Sequence, residues 1–146
     1  MLCCLAVQLQ GLVIGVTTKD PDSEPVSWEW GNIISSDQYW SVFISSAGCN
    51  AWHKGQRRDL HRVLTRSAVN TFGCQVSGTG ELHLHRNGRD VGVAWEGLPT
   101  DQPLWGVVTI SGGWKVKANY INPKGEAVWC DVVCDVIFVS LYICAC

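Results

Sequence analysis

Short runs of β-branched and alternating apolar residues, separated by glycine and proline, dominate this chain. Residues 12–18 form a β-branched run, which ends in the loop 19–25 with its two prolines. Residues 38–44 combine aromatic and β-branched side chains, a composition typical of strands. Because no 3.6-residue apolar period is sustained, the pattern predicts strands rather than helices. Three further strands are predicted at residues 68–76, 104–110 and 114–121.

Residues 81–95 carry the clearest local pattern, a β-hairpin. They begin Glu-Leu-His-Leu-His-Arg, continue with Asn87-Gly88 and end in a second strand-like run. Asn-Gly is the preferred pair of a type I′ turn, since both central residues need a positive φ. Alternation places the two leucines on one face of the first strand and the histidines, His83 and His85, on the other. Short strands with glycine and proline turns predict an all-β sandwich or barrel.

Two segments are less clear. Residues 28–34 fit neither a strand nor a helix well, and we leave them unassigned. Residues 49–64 are polar and basic, with a helix-like apolar spacing over one turn only. We therefore predict a long loop with one helical turn for residues 49–64.

Charge and hydropathy limit the classes of partner. The net charge is −2, and 16% of residues are charged, below the roughly 25% of an average globular domain. A nucleic-acid partner is not expected, because it would need a basic face. The apolar segment 132–146 contains Asp135 and is shorter than the roughly 20 residues of a spanning helix, so membrane contact is not expected either.

The eight cysteines are concentrated at the two ends of the chain, and only Cys49 and Cys74 lie in the middle. A disulfide framework would distribute its cysteines through the loops of the domain. We therefore expect reduced thiols and a cytoplasmic location.

Catalytic and metal-binding patterns are weak. The sequence has no Gly-x-Ser-x-Gly elbow and no phosphate-binding loop. His83-x-His85 places two imidazoles on one strand face, but the sequence supplies no third zinc ligand. The acidic segment from Asp20 to Glu24 lacks the ligand register of a calcium loop, and a solvated loop is the simpler interpretation. We expect no catalytic residue, no metal and no cofactor.

Three segments, in order and spacing, resemble the Neuralized homology repeat. They are Gly-Val-Thr-Thr-Lys-Asp-Pro at 15–21, Gly-Glu-Leu-His with Asn-Gly and Gly-Val-Ala at 80–94, and Leu-Pro with Leu-Trp-Gly-Val-Val at 98–108. The resemblance implies an antiparallel, SPRY-like β-sandwich over residues 1–128, followed by an apolar, cysteine-rich tail of unknown role at 129–146. It also implies a module that binds a protein or peptide and delivers it to ubiquitin ligase machinery. Ligase activity would reside in a separate part, so the module itself is not an enzyme.

Several positions depart from the family pattern. A full repeat has further strands before Gly11, and residues 68–73 and 109–112 differ from the usual motifs. The resemblance therefore implies a copy that lacks its first strands or has diverged. Two other functions stay open: a carbohydrate- or lipid-binding sandwich, suggested by the eight tryptophans, and a non-functional fragment of a larger adaptor.

A binding surface of such a sandwich would lie in loops at one end. Tryptophan and arginine are residue types that anchor interfaces, although a buried tryptophan and solvated arginines would fit the same sequence. The predicted binding residues are Asp20, Asp22, Trp40, His53, Arg57, Arg58 and Asn87.

Overall fold

The computed structural model describes residues 2–6, 11–20, 30–45, 48–60, 70–111, 115–121, 127–133 and 138–139. Within these ranges the chain forms strands and one short helix. The elements are β1 Leu2–Ala6, β2 Gly11–Thr17, α1 Trp30–Ser35, β3 Tyr39–Ser45, β4 Gly48–His53, β5 Gln56–Asp59, β6 Asn70–Val76, β7 Leu82–Arg86, β8 Arg89–Trp95, β9 Trp105–Ser111, β10 Lys115–Ile121, β11 Ala127–Val133 and β12 Phe138–Val139.

The strands form two six-stranded sheets. One sheet has the order β11-β10-β1-β6-β7-β8, and the other has the order β12-β9-β2-β3-β4-β5. Every pairing in both sheets is antiparallel. The predicted all-β antiparallel sandwich is confirmed.

Apolar side chains from both sheets fill one core. Strand β2 is buried at all seven positions, and β3 contributes Val42 and Ile44. The facing sheet contributes Phe72, Leu82 and Leu84. Full burial of one such side chain stabilises the folded state by about 1.5–3 kcal/mol. The core therefore fixes the two sheets against each other and, with them, the ends of their strands.

The predicted hairpin at residues 81–95 is confirmed. Asn87 has a φ of 49° and Gly88 a φ of 76°, as the two central residues of a type I′ turn require. Leu82 and Leu84 lie in the core, while His83 and His85 are only partly buried on the other face. Two register shifts interrupt the β7–β8 pairing, so β8 is an irregular edge strand.

The loop predicted for residues 49–64 is wrong where the structure describes it. Residues 48–59 form a second hairpin, β4–β5, whose turn has Lys54 at a φ of 52° and Gly55 at 72°. Cys49 and Ala51 are buried on one face of β4, whereas all four residues of β5 are exposed. The polar composition of this segment does not indicate strands, because an edge strand with a solvated face needs few apolar residues. Residues 61–64 lie outside the described residues.

Helix α1 occupies part of the unassigned segment and is held by the β4–β5 hairpin. The backbone N–H of Gly55 donates to the carbonyl of Ile34 at 2.7 Å. The N–H of Lys54 donates to the carbonyl of Ser36 at 3.2 Å. These two bonds satisfy carbonyls that a helix C-terminus leaves without partners, so the β4–β5 turn serves as the C-terminal cap of α1.

The two ends of the chain add strands to both sheets. Strand β1, which precedes Gly11, pairs with β6 on one side and β10 on the other. Strand β11 runs across residue 128, the predicted boundary between domain and tail. Strand β12 pairs with β9 in the second sheet. Among the described residues, no helix combines the length and apolarity that crossing a membrane would require.

Candidate functional site

One end of the sandwich gathers most of the predicted binding residues. At this end β2 finishes at Thr17, β3 begins at Tyr39 and β8 finishes at Trp95. The Lys54–Gly55 turn lies there too, because β4 and β3 pair in antiparallel register. We call this the Trp95 end. The opposite end carries the Asn87–Gly88 turn.

Three aromatic rings and one arginine join the two sheets at the Trp95 end. The His53 ring stacks on the Trp40 ring, with centroids 4.5 Å apart and planes 12° apart. Trp95, from the facing sheet, meets His53 edge-on at 5.7 Å. The Arg58 guanidinium lies over the Trp95 ring, 4.2 Å from its centroid. We call these four residues the Trp95 cluster.

Packing and one hydrogen bond hold the aromatic rings of the Trp95 cluster in place. Trp40 and Trp95 are 6% and 4% exposed, so both rings are fixed by packing. His53 Nδ1 lies 2.8 Å from the Tyr39 carbonyl oxygen, and because a carbonyl only accepts, Nδ1 carries the hydrogen of this bond. Arg58 closes the cluster from outside, since its side chain is exposed and stacks on the buried Trp95 ring.

Arg57 lies beside the Trp95 cluster on β5 and points away from the core. Its Nε and Nη2 atoms both lie 2.8 Å from Oδ1 of Asp59. The two side chains are 54% and 39% exposed, so the pair contributes at most about 1 kcal/mol to folding. Asp59 therefore orients Arg57 with little effect on the stability of the fold, and the Arg57 side chain remains exposed to a partner.

A shallow pocket of about 250 Å³ opens at the same end, between α1 and the first residues of β3. Each of its described lining residues carries a polar side-chain group. The lining residues are Lys19, Asn32, Ser35, Ser36 and Tyr39. The Lys19 backbone is fixed there because its N–H donates to the Thr17 hydroxyl at 3.0 Å.

The family model named Neuralized matches residues 8–116. The chain belongs to the Neuralized family. Comparison with curated proteins gives no significant match.

The Neuralized match includes every described residue of the Trp95 end. It extends from before β2 into β10, and so contains both hairpins, the Trp95 cluster and the polar pocket. A Neuralized domain is a protein-interaction module, and it is a binding domain rather than a catalytic one.

The predicted binding residues do not all lie on one surface. Those at the Trp95 end are Asp20, Trp40, His53, Arg57 and Arg58. Asn87 lies at the opposite end of the sandwich, and Asp22 lies outside the described residues.

Asn87 belongs to the opposite end and has a structural role there. Its side-chain oxygen accepts the N–H of Thr71 at 2.9 Å, and its own N–H donates to the Thr71 carbonyl at 2.7 Å. These two bonds tie the hairpin turn to the first residues of β6. Asn87 therefore does not contribute to the same surface as the other predicted residues.

The sequence alone did not indicate that Trp95, Tyr39, Ser35 and Ser36 belong to this end. The hairpin register pairs Trp95 with the buried Leu82, which signals a core position. Its contacts with His53 and Arg58 cross between sheets, and no local pattern encodes them. The pattern at residues 38–44 places Tyr39 in a strand, but its carbonyl contact with His53 depends on the unforeseen β4 strand.

Two groups elsewhere have shifted pKa values. Burial raises the pKa of the Cys49 thiol to about 12, so this thiol is protonated and unreactive at neutral pH. Asp90 accepts the Gly92 N–H and contacts His83 Nδ1 at 2.8 Å, and these interactions lower the pKa of its carboxyl. In the described part of the chain, no group of three or more histidine, cysteine or acidic side chains has the geometry to hold a metal.

Proposed function

We propose that this chain is a substrate adaptor: it binds a protein through its Trp95 end and presents that protein to ubiquitin ligase machinery. The Neuralized match over residues 8–116 supports the general part, recognition of a protein. The Trp95 cluster supports the choice of this end as the binding surface, because residues of both sheets and an exposed arginine meet there. Ligation itself would be performed by the machinery that the adaptor recruits.

The composition of the Trp95 end suits an interface. Arginine and tryptophan are the residue types that most often dominate binding energy, particularly where a rigid, well-packed base supports them. The Arg58 guanidinium lies over the Trp95 ring while the side chain stays exposed, so its N–H groups can donate to carbonyl or carboxylate acceptors of a partner. Because the underlying rings are already buried, this chain would lose little side-chain entropy when a partner binds here.

The carbohydrate alternative has less support. A ring that stacks on a sugar must present a free face. Of the tryptophans whose side chains the structure describes, Trp40 and Trp95 are buried and Trp52 and Trp105 are partly buried. Trp52 is further engaged through its Nε1, which donates to Asn50 at 2.6 Å. We also propose that the adaptor acts in the cytoplasm, and the buried thiol of Cys49, which forms no disulfide, supports a reducing compartment.

An affinity-capture experiment tests this function. The full chain serves as bait in a cell lysate with chemical cross-linking, and partners are quantified by mass spectrometry. The test bait carries Arg57→Glu with Arg58→Glu, and the control bait carries Arg89→Glu, an equal type of change at the opposite end of β8. We expect the double variant to lose its partners by tenfold or more, and the control to retain them.

The outcome separates the two parts of the proposal. Equal recovery with all three baits would show that the Trp95 end is not the binding surface. Recovery of a partner without any ubiquitin ligase component, and without a change in the partner's ubiquitination when the chain is overexpressed, would remove the adaptor role. A cooperative thermal transition well above the assay temperature for each of the three baits excludes unfolding as the cause of any loss.

A further inference from the structure

The indole nitrogen of Trp95 is a buried hydrogen-bond donor that the fold leaves unused. The residue is 4% exposed, and its Nε1 has no hydrogen-bond partner among the residues that the structure describes. An indole N–H only donates, and a buried donor normally has an acceptor, because burial removes its bond to water. Trp52 has the usual arrangement, since its Nε1 donates to the Asn50 side chain at 2.6 Å. The Trp95 N–H is therefore a candidate for an acceptor that another molecule supplies.

Arg58 lies next to this donor and brings further donors. Its guanidinium carbon is 4.2 Å from the centroid of the Trp95 ring. Within the described ranges, this contact is the only hydrogen-bond, ion-pair or ring interaction of the Arg58 side chain. A guanidinium carries five N–H donors and no acceptor. The donors of the two residues thus lie side by side, and neither residue supplies an acceptor to the other.

The register of β4 and β5 explains why Arg58 reaches the ring. Arg58 pairs with Ala51, which is fully buried, so its side chain leaves β5 on the core side of the second sheet. Arg57 and Asp59 alternate with Arg58 and lie on the other side of β5. These two form an ion pair at 2.8 Å, so the neighbouring carboxylate is engaged with Arg57 and not with Arg58.

An acceptor can reach the Trp95 N–H only after a neighbouring group moves, because Nε1 has almost no exposed surface. Arg58 is the group placed to move. Its side chain is exposed and is held over the ring by a cation–π contact, which is weak at an exposed site. His53 is held more firmly, since it stacks on Trp40 and also bonds the Tyr39 carbonyl. A shift of Arg58 would therefore open the Trp95 end and leave the core in place.

We propose that a main-chain carbonyl of the bound protein accepts one hydrogen bond from Trp95 Nε1 and a second from Arg58. The inference rests on the proposed recognition function and specifies how the Trp95 end holds its partner. A carbonyl oxygen has two lone pairs, so it can accept from both donors at once. A carboxylate suits this position less, because a charge beside buried rings loses more hydration energy than a neutral carbonyl does. A side-chain amide would bring N–H donors of its own, for which neither residue supplies an acceptor.

Nuclear magnetic resonance of the full chain, with a heavy nitrogen isotope in its tryptophan rings, observes the indole N–H groups directly. The probe is a peptide selected on the unchanged chain from a random library displayed on phage. A series of the same peptide replaces each of its residues in turn by alanine, which changes the side chain but keeps the main-chain carbonyl.

The affinity of the selected peptide is also measured for two variants. Trp95→Phe keeps a flat ring but removes the donor. Trp52→Phe is the matched control, because the N–H that it removes already has an acceptor inside the chain. Both variants must show a cooperative thermal transition well above the assay temperature, and the resonance measurement on the unchanged chain stands even if Trp95→Phe does not fold.

We expect the Trp95 N–H resonance to move downfield when the peptide saturates the chain, and to do so with every alanine peptide that still binds. Trp95→Phe should bind the peptide about tenfold more weakly, and Trp52→Phe as tightly as the unchanged chain. A Trp95 resonance that does not move would overturn the inference while leaving protein recognition intact. A shift that one bound alanine peptide abolishes would also overturn it, since the acceptor would then be a side chain. Failure to select any peptide would instead overturn the proposed function, and the inference with it.

Discussion

Gly15 lies at the centre of β2, where the backbone of β3 approaches it too closely for any side chain. A Cβ atom built on Gly15 would overlap the carbonyl oxygen of Trp40 and lie 2.8 Å from the Cα of Ser41. Both are backbone atoms of a central strand, so neither can rotate away. Gly15→Ala must therefore push β3 outward by roughly 1 Å, since non-bonded heavy atoms prefer about 3.5–4 Å.

The cost of this change is large for one methyl group. Overpacking a close-packed interior typically costs about 1–3 kcal/mol, and the rigidity of both clashing groups places Gly15→Ala near the upper value. For a domain of this size about 3 kcal/mol corresponds to a fall in Tm of roughly 10 °C. The displaced strand also carries Tyr39 and Trp40, so binding at the Trp95 end should weaken together with stability.

Urea denaturation followed by circular dichroism measures the free energy of unfolding. Gly31→Ala is the matched control, because it makes the same chemical change at a site in α1 where a Cβ meets nothing within 4 Å. That control should be neutral or stabilise by up to about 1 kcal/mol, since alanine is the better helix former. A Gly15→Ala variant within about 0.5 kcal/mol of the unchanged chain, the usual range of a surface substitution, would refute the β2–β3 packing described above.

Four further predictions concern other parts of the fold. The thiol of Cys49, with its pKa of about 12, should resist alkylation at pH 8 in the native chain and react once urea unfolds it; mass spectrometry showing rapid native labelling would contradict its burial. Because the unfolded thiol ionises from about its ordinary pKa of 9.0 and the folded one only at about 12, stability should fall as pH rises through that window, and Cys49→Ser should reduce the fall. Asn87→Ala should cost about 1–2 kcal/mol of unfolding free energy because of its φ of 49°, and Asn87→Gly clearly less; equal costs would argue against the turn. Arg58→Ala should cost about 0.5–1 kcal/mol through its contact with Trp95, whereas Arg57→Ala should cost almost nothing, and the reverse order in urea titrations would contradict the stacking.

Strands were predictable from the sequence where apolar and polar residues alternate or where a preferred turn pair such as Asn-Gly follows. The hairpin at residues 81–95 has both, and its turn and the burial of Leu82 and Leu84 are confirmed. The β4–β5 hairpin has neither in an obvious form, since its turn is Lys54-Gly55 and its second strand is wholly exposed. An edge strand is specified by its neighbour's hydrogen bonds more than by its own composition, which single-sequence patterns do not contain.

Much less of the candidate site could be predicted. Residue type alone points to Trp40, Arg57 and Arg58, but it cannot tell that the first is buried and that the last is stacked on Trp95. Sequence patterns also group Asn87 with these residues, because they do not show the end of the sandwich to which each loop belongs. The direction of each strand decides at which end of the sandwich its loops lie. Strand directions follow only from the complete sheet order.

Hydrogen–deuterium exchange of the full chain, with and without a captured protein partner, tests most directly whether recognition occurs at the Trp95 end. We expect slower exchange on binding in residues 17–20, 31–36, 53–59 and 95–98, with the Asn87–Gly88 turn unchanged. Protection confined to the Asn87–Gly88 turn, or no protection at the Trp95 end with a bound partner, would contradict it.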